Sequence, residues 1–422
     1  MIKRFRAPAV GLVDQVVNAG ANAGTGLLAY PLVQSATHTG EVVLALSWGY
    51  FAIGVTRALI GDPLLAHVSR FDGDRRAELV RSAAMTALAA GLLAAVVCVA
   101  GWAVGPGYLS DLLWLAPFLP LVLLHDAGRY TALSARRPQD ALMLDLIWVG
   151  TQAVAVVAVV LAGQVGTGGP LLACWGLGGV AGATAFLLRE RLNPLRGRIS
   201  RWLAETRHLT GWFTGTALLG NVQVQVVYLV VIDVVSKTAL AGLRLAQYGL
   251  LMPVVNFTTA LIGLLVPRVS RMAGDGNVAG IRRLTAKVLM VTAAGAVVPL
   301  LLAPLAGPLL RGLLPDYAYV APIAYPVACQ AAIYLLQIPF TAALRGMQRG
   351  GLLFAQYATF TAASVTGVLI GSVVGDLRGA AWGLTAGGAV GLVAMMLAYR
   401  RVISGFPAAE RPTRSDPVTS VG

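Results

Sequence analysis

Residues 49–70 read GYFAIGVTRALIGDPLLAHVSR. Arg57 stands near the middle of a run that is otherwise almost entirely apolar, with no helix breaker before Asp62-Pro63. The run is too long for an ordinary buried strand. What it is depends on its solvent, and composition decides that. Of 422 residues only 12% are charged and 57% are hydrophobic, and the mean hydropathy is +0.75. Soluble domains carry roughly 25% charged residues, so this chain lacks the charge to cover a water-facing surface. Apolar runs of about 20 residues recur throughout, which is the signature of membrane-spanning helices.

We place spans at 10–33, 41–66, 79–102, 111–133, 141–162, 169–188, 209–232, 238–266, 284–303, 318–344, 351–374 and 379–401. That makes about twelve transmembrane helices in an all-α integral membrane protein. The opening MIKRFR resembles a signal-peptide head, but Asp14, Gln15, Asn18 and Asn22 make the following span a poor cleavable core, so it is taken as the first membrane helix.

The net charge of +14 does not indicate nucleic acid, because the charges fall in loops between spans rather than on one basic face. Most of the 32 Lys and Arg lie in the N-terminus, the C-terminal tail and the loops after even-numbered helices. Loops after odd-numbered helices hold Lys237, Arg311 and Arg378, and Arg57 and Arg244 lie inside spans away from their cytoplasmic ends. This alternation predicts a multi-pass protein of the plasma membrane with both termini cytoplasmic.

A weak repeat divides the chain. HVSRFDGD at 67–74 matches RVSRMAGD at 268–275, each after the second helix of its half, and LAPFLPLVLL at 115–124 loosely matches VAPIAYPVAC at 320–329. Two six-helix halves entering from the same side would be related by an axis along the membrane normal, with a central cavity between them. The expected organisation is an N-terminal half with its connector over 1–200, a C-terminal half over 201–403 and a disordered cytoplasmic tail over 404–422. The connector 189–208, RERLNPLRGRISRWLAETRH, reads either as a helix lying on anionic headgroups or as a solvated positive loop.

Polar residues inside the spans need a reason, because they are costly in hydrocarbon. Asp14, Asn18, Asn22 and Thr25 share one stripe of the first helix, which should face a cavity or another helix. Gly20 and Gly24 beside it suggest close helix packing. Arg57 lies about nine residues from the cytoplasmic helix end, roughly 14 Å at 1.5 Å per residue, too deep to reach water fully. It either pairs with Asp14 or lines a watery cavity as an anion-binding group, and the second reading is favoured because intramembrane charges usually mark pathways. On the seventh helix Asn221, Gln223 and Gln225 are spaced by two, so only some should face a cavity. Arg244 and Gln247 share a face of the eighth, with Asn256 and Thr259 beyond a kink expected at Pro253. Asp126 and Arg129 are read as a local i,i+3 pair, with Asp145 similar.

No GxxxxGK[ST], HExxH or GxSxG occurs, and Cys98, Cys174, Cys329 and four histidines have no metal-ligand spacing. No nucleotide motor, metal, cofactor or enzyme activity is expected.

DQVVNAGANAGTGLL (14–28), RALIGDPLLAHVSR (57–70) and LAGLRLAQYGLLMPVVNFTTALIGLLVPRVSR (240–271) resemble the oligosaccharide flippase branch of the multidrug/oligosaccharidyl-lipid/polysaccharide exporter superfamily. The resemblance implies translocation of a prenyl-pyrophosphate-linked oligosaccharide for polysaccharide biosynthesis by alternating access. Carried onto this sequence, Arg57 and Arg244 become pyrophosphate contacts in a cavity lined by helices one, two, seven and eight. Asn18, Asn22, Gln247 and Asn256 become hydrogen-bonding candidates, and Asp14 a candidate ion-coupling acid. The partners implied are the lipid-linked oligosaccharide, membrane lipids and polysaccharide assembly proteins. The alternative is a cation-coupled drug or metabolite exporter of the same superfamily, which predicts an acidic cavity.

Overall fold

A computed structural model describes residues 24–33, 35–164 and 168–405, with a few isolated positions besides. Every regular element among them is helical. Ten stretches are long and apolar enough to cross a membrane, and dividing the last at its break makes eleven. Residues 24–32 are also helical, and the expected all-α multi-pass architecture is what is observed.

The second helix spans Ala36–Leu65 and the eighth Lys237–Gly274. Both start on a serine cap: the Ser35 side chain accepts from the His38 N–H and the Ser236 side chain from the Ala239 N–H, satisfying donors that the first turn leaves unpaired. The caps are separated by the same interval as the VSR repeat, and the equivalent threonines beside them, Thr37 and Thr238, touch through their hydroxyls at 3.3 Å. Around this contact Lys237 pairs with Glu41, Tyr319 donates to the Thr238 carbonyl at 2.8 Å, and Tyr317 donates to Thr39 at 3.0 Å. Gly40 packs against the Lys237 carbonyl so closely that a Cβ has no room. The sparsely basic end of the bundle is therefore clasped shut between helices two and eight.

Both helices contain one wide, i→i+5 turn, at Arg57–Gly61 and at Gln247–Leu251. Each ends two residues before a proline, Pro63 or Pro253. A proline lacks an N–H and crowds the carbonyl four residues back, so the backbone opens there. The expected kink at Pro253 takes this form. At Pro63 the orphaned carbonyl is that of Leu59, and the Trp202 indole N–H donates to it at 3.1 Å. Each wide turn adds a residue to its helix. This explains why ALIG recurs at 58–61 and 260–263 one residue out of register with the flanking serines and arginines.

The connector is exposed or half-buried over 189–200 and is anchored to the bundle beyond that. A short turn at Pro194–Arg196 leads directly into helix seven, Ile199–Val230, which begins well before the apolar span. Trp202 is fully buried among residues of helices two to six, and Arg201 and Glu205 pair with Glu78 and with His67 and Arg75. Indole burial and these pairs hold the segment on the protein.

Helices eleven and twelve, Gly350–Ser404, break at Gly375 and Asp376. A Cβ on Gly367 or Gly371 would strike the backbone of Gly383 or Gly379; the absent side chains let the two helices pack at backbone contact. At Gly20 and Gly24, by contrast, nothing among the described residues lies within 4 Å of a built Cβ.

Candidate functional site

Beneath the clasp lies a cavity of about 280 Å³. Ser47, Tyr50 and Phe51 line it from helix two, Tyr228 with Asn221, Gln223 and Gln225 from helix seven, Arg244 and Gln247 from helix eight, and Gln330 and Tyr334 from helix ten. All three amides of helix seven reach it, contrary to the expectation from their spacing, because the cavity extends around that helix from the second to the tenth. Gln225 also closes on helix two: its amide donates to the Ser47 carbonyl at 2.7 Å and its oxygen accepts from the Ser47 hydroxyl at 3.0 Å.

Arg244 is 4% exposed. Its Nη1 donates to the Tyr228 hydroxyl at 2.5 Å and its Nη2 to the Tyr248 hydroxyl at 2.9 Å. The guanidinium also lies over both rings, 5.1 and 4.5 Å from their centroids, where the aromatic quadrupole attracts a cation. Tyr228 passes the chain on by donating to Gln247 Oε1 at 3.3 Å. Behind Tyr248 stands Gly26 of helix one, where a Cβ would run into the phenol. Nε is buried with no hydrogen-bond partner among the described residues, and no described carboxylate forms an ion pair with Arg244. Among the described residues its charge is thus oriented by neutral groups and meets no carboxylate.

Arg57 has the opposite setting. Its Nε lies 3.1 Å from both oxygens of Asp126 and its Nη2 2.7 Å from Oδ1. Arg129 adds a contact to Asp126 at 3.6 Å and pairs with Asp145 at 2.7 Å, while His125 Nε2 lies 3.3 Å from Asp145. Two arginines and two carboxylates alternate, and their formal charges cancel. Asp126 therefore does more than pair locally with Arg129, and Arg129, near the cytoplasmic end of the fourth span, is buried at 2% exposure. Arg57 keeps a third of its side chain exposed but does not line the cavity.

Of the residues expected at the site, the structure brings Arg244 and Gln247 to the cavity. Asn256 is exposed and lies outside its lining. Asp14, Asn18 and Asn22 fall outside the described residues. Thr25, on the same stripe, is fully buried and accepts from the Gln152 amide of helix five at 2.6 Å, so this end of the stripe faces another helix. The contributions of Gln330 and Tyr334 on helix ten and of Leu384 on helix twelve were missed. Gln330, an amide inside an apolar span, was the readable signal; the tyrosines carried none, because aromatic residues are ordinary in spans.

No protein-family model and no curated protein matches the chain. Solved structures do. An inward-facing multidrug resistance MATE family transporter of the MOP superfamily aligns with a TM-score of 0.70 at 14% identity, over 94% of this chain and 96% of that one. The lipid II flippase MurJ in an inward closed conformation gives 0.69 at 13% identity, over 94% and 87%. The eukaryotic MATE transporter AtDTX14 gives 0.67 at 13% identity, over 96% and 99%. The similar structures are transporters and a flippase rather than enzymes, and the likeness is one of fold.

Proposed function

We propose that this chain is a flippase that moves a lipid-linked oligosaccharide from the cytoplasmic to the outer leaflet of the plasma membrane, in service of polysaccharide assembly. One observation carries this reading: a buried arginine with no carboxylate partner among the described residues faces a cavity walled by amides. A positive charge held by phenols attracts an anion, and amide groups, with both donors and acceptors, match the hydroxyls of a glycan. The lipid tail stays in the bilayer while the head occupies the cavity. The two halves rock about the cavity to expose it to each side in turn, with both termini cytoplasmic and the clasped end outward. An anionic head moving outward is driven by an inside-negative potential, worth about 2.3 kcal/mol per charge per 100 mV. The competing drug-exporter reading requires carboxylates to hold cations, and no Asp or Glu occurs among the described lining residues.

The test is a deletion strain scored for lipid-linked glycan trapped on the inner leaflet. Wild-type protein clears it, Arg244→Gln at equal abundance does not, and Arg244→Lys clears it partly. Full clearance by Arg244→Gln overturns the reading.

A further inference from the structure

A prenyl-linked glycan is joined to its lipid through either one phosphate or a pyrophosphate. At neutral pH the monophosphodiester carries one negative charge and the pyrophosphodiester two. The charges around the cavity distinguish them. Arg244 is the one ionised side chain among the described residues that line it. The other two arginines inside the described bundle, half-buried Arg57 and buried Arg129, are matched by Asp126 and Asp145. The first helix cannot supply a second cation, since residues 10–33 contain no Lys or Arg. A second negative charge would therefore enter the cavity without a counter-charge among the described residues, and taking an unpaired charge out of water costs more than amide hydrogen bonds return. Recruiting Arg57 would not help, because releasing it leaves Asp126, which is 3% exposed, with only the longer 3.6 Å contact to Arg129. At about 280 Å³ the cavity is also at the small end of ligand pockets, which span roughly 300–1,000 Å³.

We propose that the cavity takes a glycan joined to its prenyl lipid by a single phosphate, with Arg244 meeting the one charge and the amides of Gln223, Gln247 and Gln330 meeting sugar hydroxyls. This rests on the flippase reading above and departs from the pyrophosphate that the sequence resemblance implies.

The experiment compares ligands of identical sugar and prenyl chain. Full-length protein in nanodiscs is titrated with prenyl-phosphate-glucose, prenyl-pyrophosphate-glucose, a neutral alkyl glucoside and tetraphenylphosphonium. The monophosphate is expected to bind at least about tenfold more tightly than the pyrophosphate or the neutral glucoside. Gln330→Lys, which adds a second cation to the cavity wall, should narrow or invert the preference between the two phosphates, with thermal unfolding confirming a folded protein. Equal or tighter binding of the pyrophosphate by the wild type overturns the single-phosphate assignment and leaves the flippase reading standing. So does a preference unmoved by Gln330→Lys, or equal binding of the neutral glucoside. Binding of tetraphenylphosphonium with neither glycolipid bound overturns the flippase reading itself.

Discussion

Arg57 and Arg244 are both arginines inside apolar helices, and the difference between them lies in their neighbours. Arg57 meets a buried carboxylate with two nitrogens, whereas Arg244 meets two phenols. Removing one member of a buried pair strands the other charge, at a cost of about 3–5 kcal/mol, and the partial exposure of Arg57 puts it at the low end. Arg57→Ala should therefore lower the melting temperature in detergent markedly, and Arg57→Met combined with Asp126→Leu should recover most of the loss. If the double variant is no more stable than Arg57→Ala, the pair is not what holds Arg57. Arg244→Gln strands no carboxylate among the described residues and should cost much less stability than Arg57→Ala, while removing the proposed anion binding. The sequence showed both charges and their helices. It could not show which was compensated, because Asp126 sits 69 positions away and had an obvious partner of its own in Arg129.

At the scale of elements, helices two and eight are held at one end by Gly40 and the Thr37–Thr238 contact and loosened in their middles by wide turns before prolines. In a variant lacking Cys98, Cys174 and Cys329, cysteines at Thr37 and Thr238 should cross-link readily. Adding Gly40→Val should suppress the cross-link, because a branched side chain cannot fit over the Lys237 carbonyl. Cross-linking that is unchanged by Gly40→Val would show that the helices do not meet there. The prolines and serines were legible, and the repeat pointed to equivalent helices. The contact between the equivalents was not legible, since a sequence interval says nothing about whether two copies face each other.

Across the whole molecule, charge placement predicts a fixed orientation. Gln164 lies exposed in the connection between helices five and six, and Arg196 in the connection between six and seven. Gln164→Cys should react with a membrane-impermeant maleimide in intact cells, and Arg196→Cys only after permeabilisation. The reverse pattern would invert the topology. Helix seven then spans from the basic connector to the cavity as one rod. Trp202 and the Arg201–Glu78 pair fix its start on helices two and three, and Gln225 fixes its far part on Ser47.

The amino-acid sequence by itself determined the solvent, the helical class, the approximate spans and the polar residues that had to be explained. Each follows from local composition and periodicity, which a bilayer reads residue by residue. Only the tertiary structure decided the electrostatics. Whether an arginine is neutral in effect or an open anion site depends on which distant carboxylate or phenol packs against it. Charge compensation falls off over a few ångströms in space, and the residues that supply it are scattered over helices two, four, five, seven and eight.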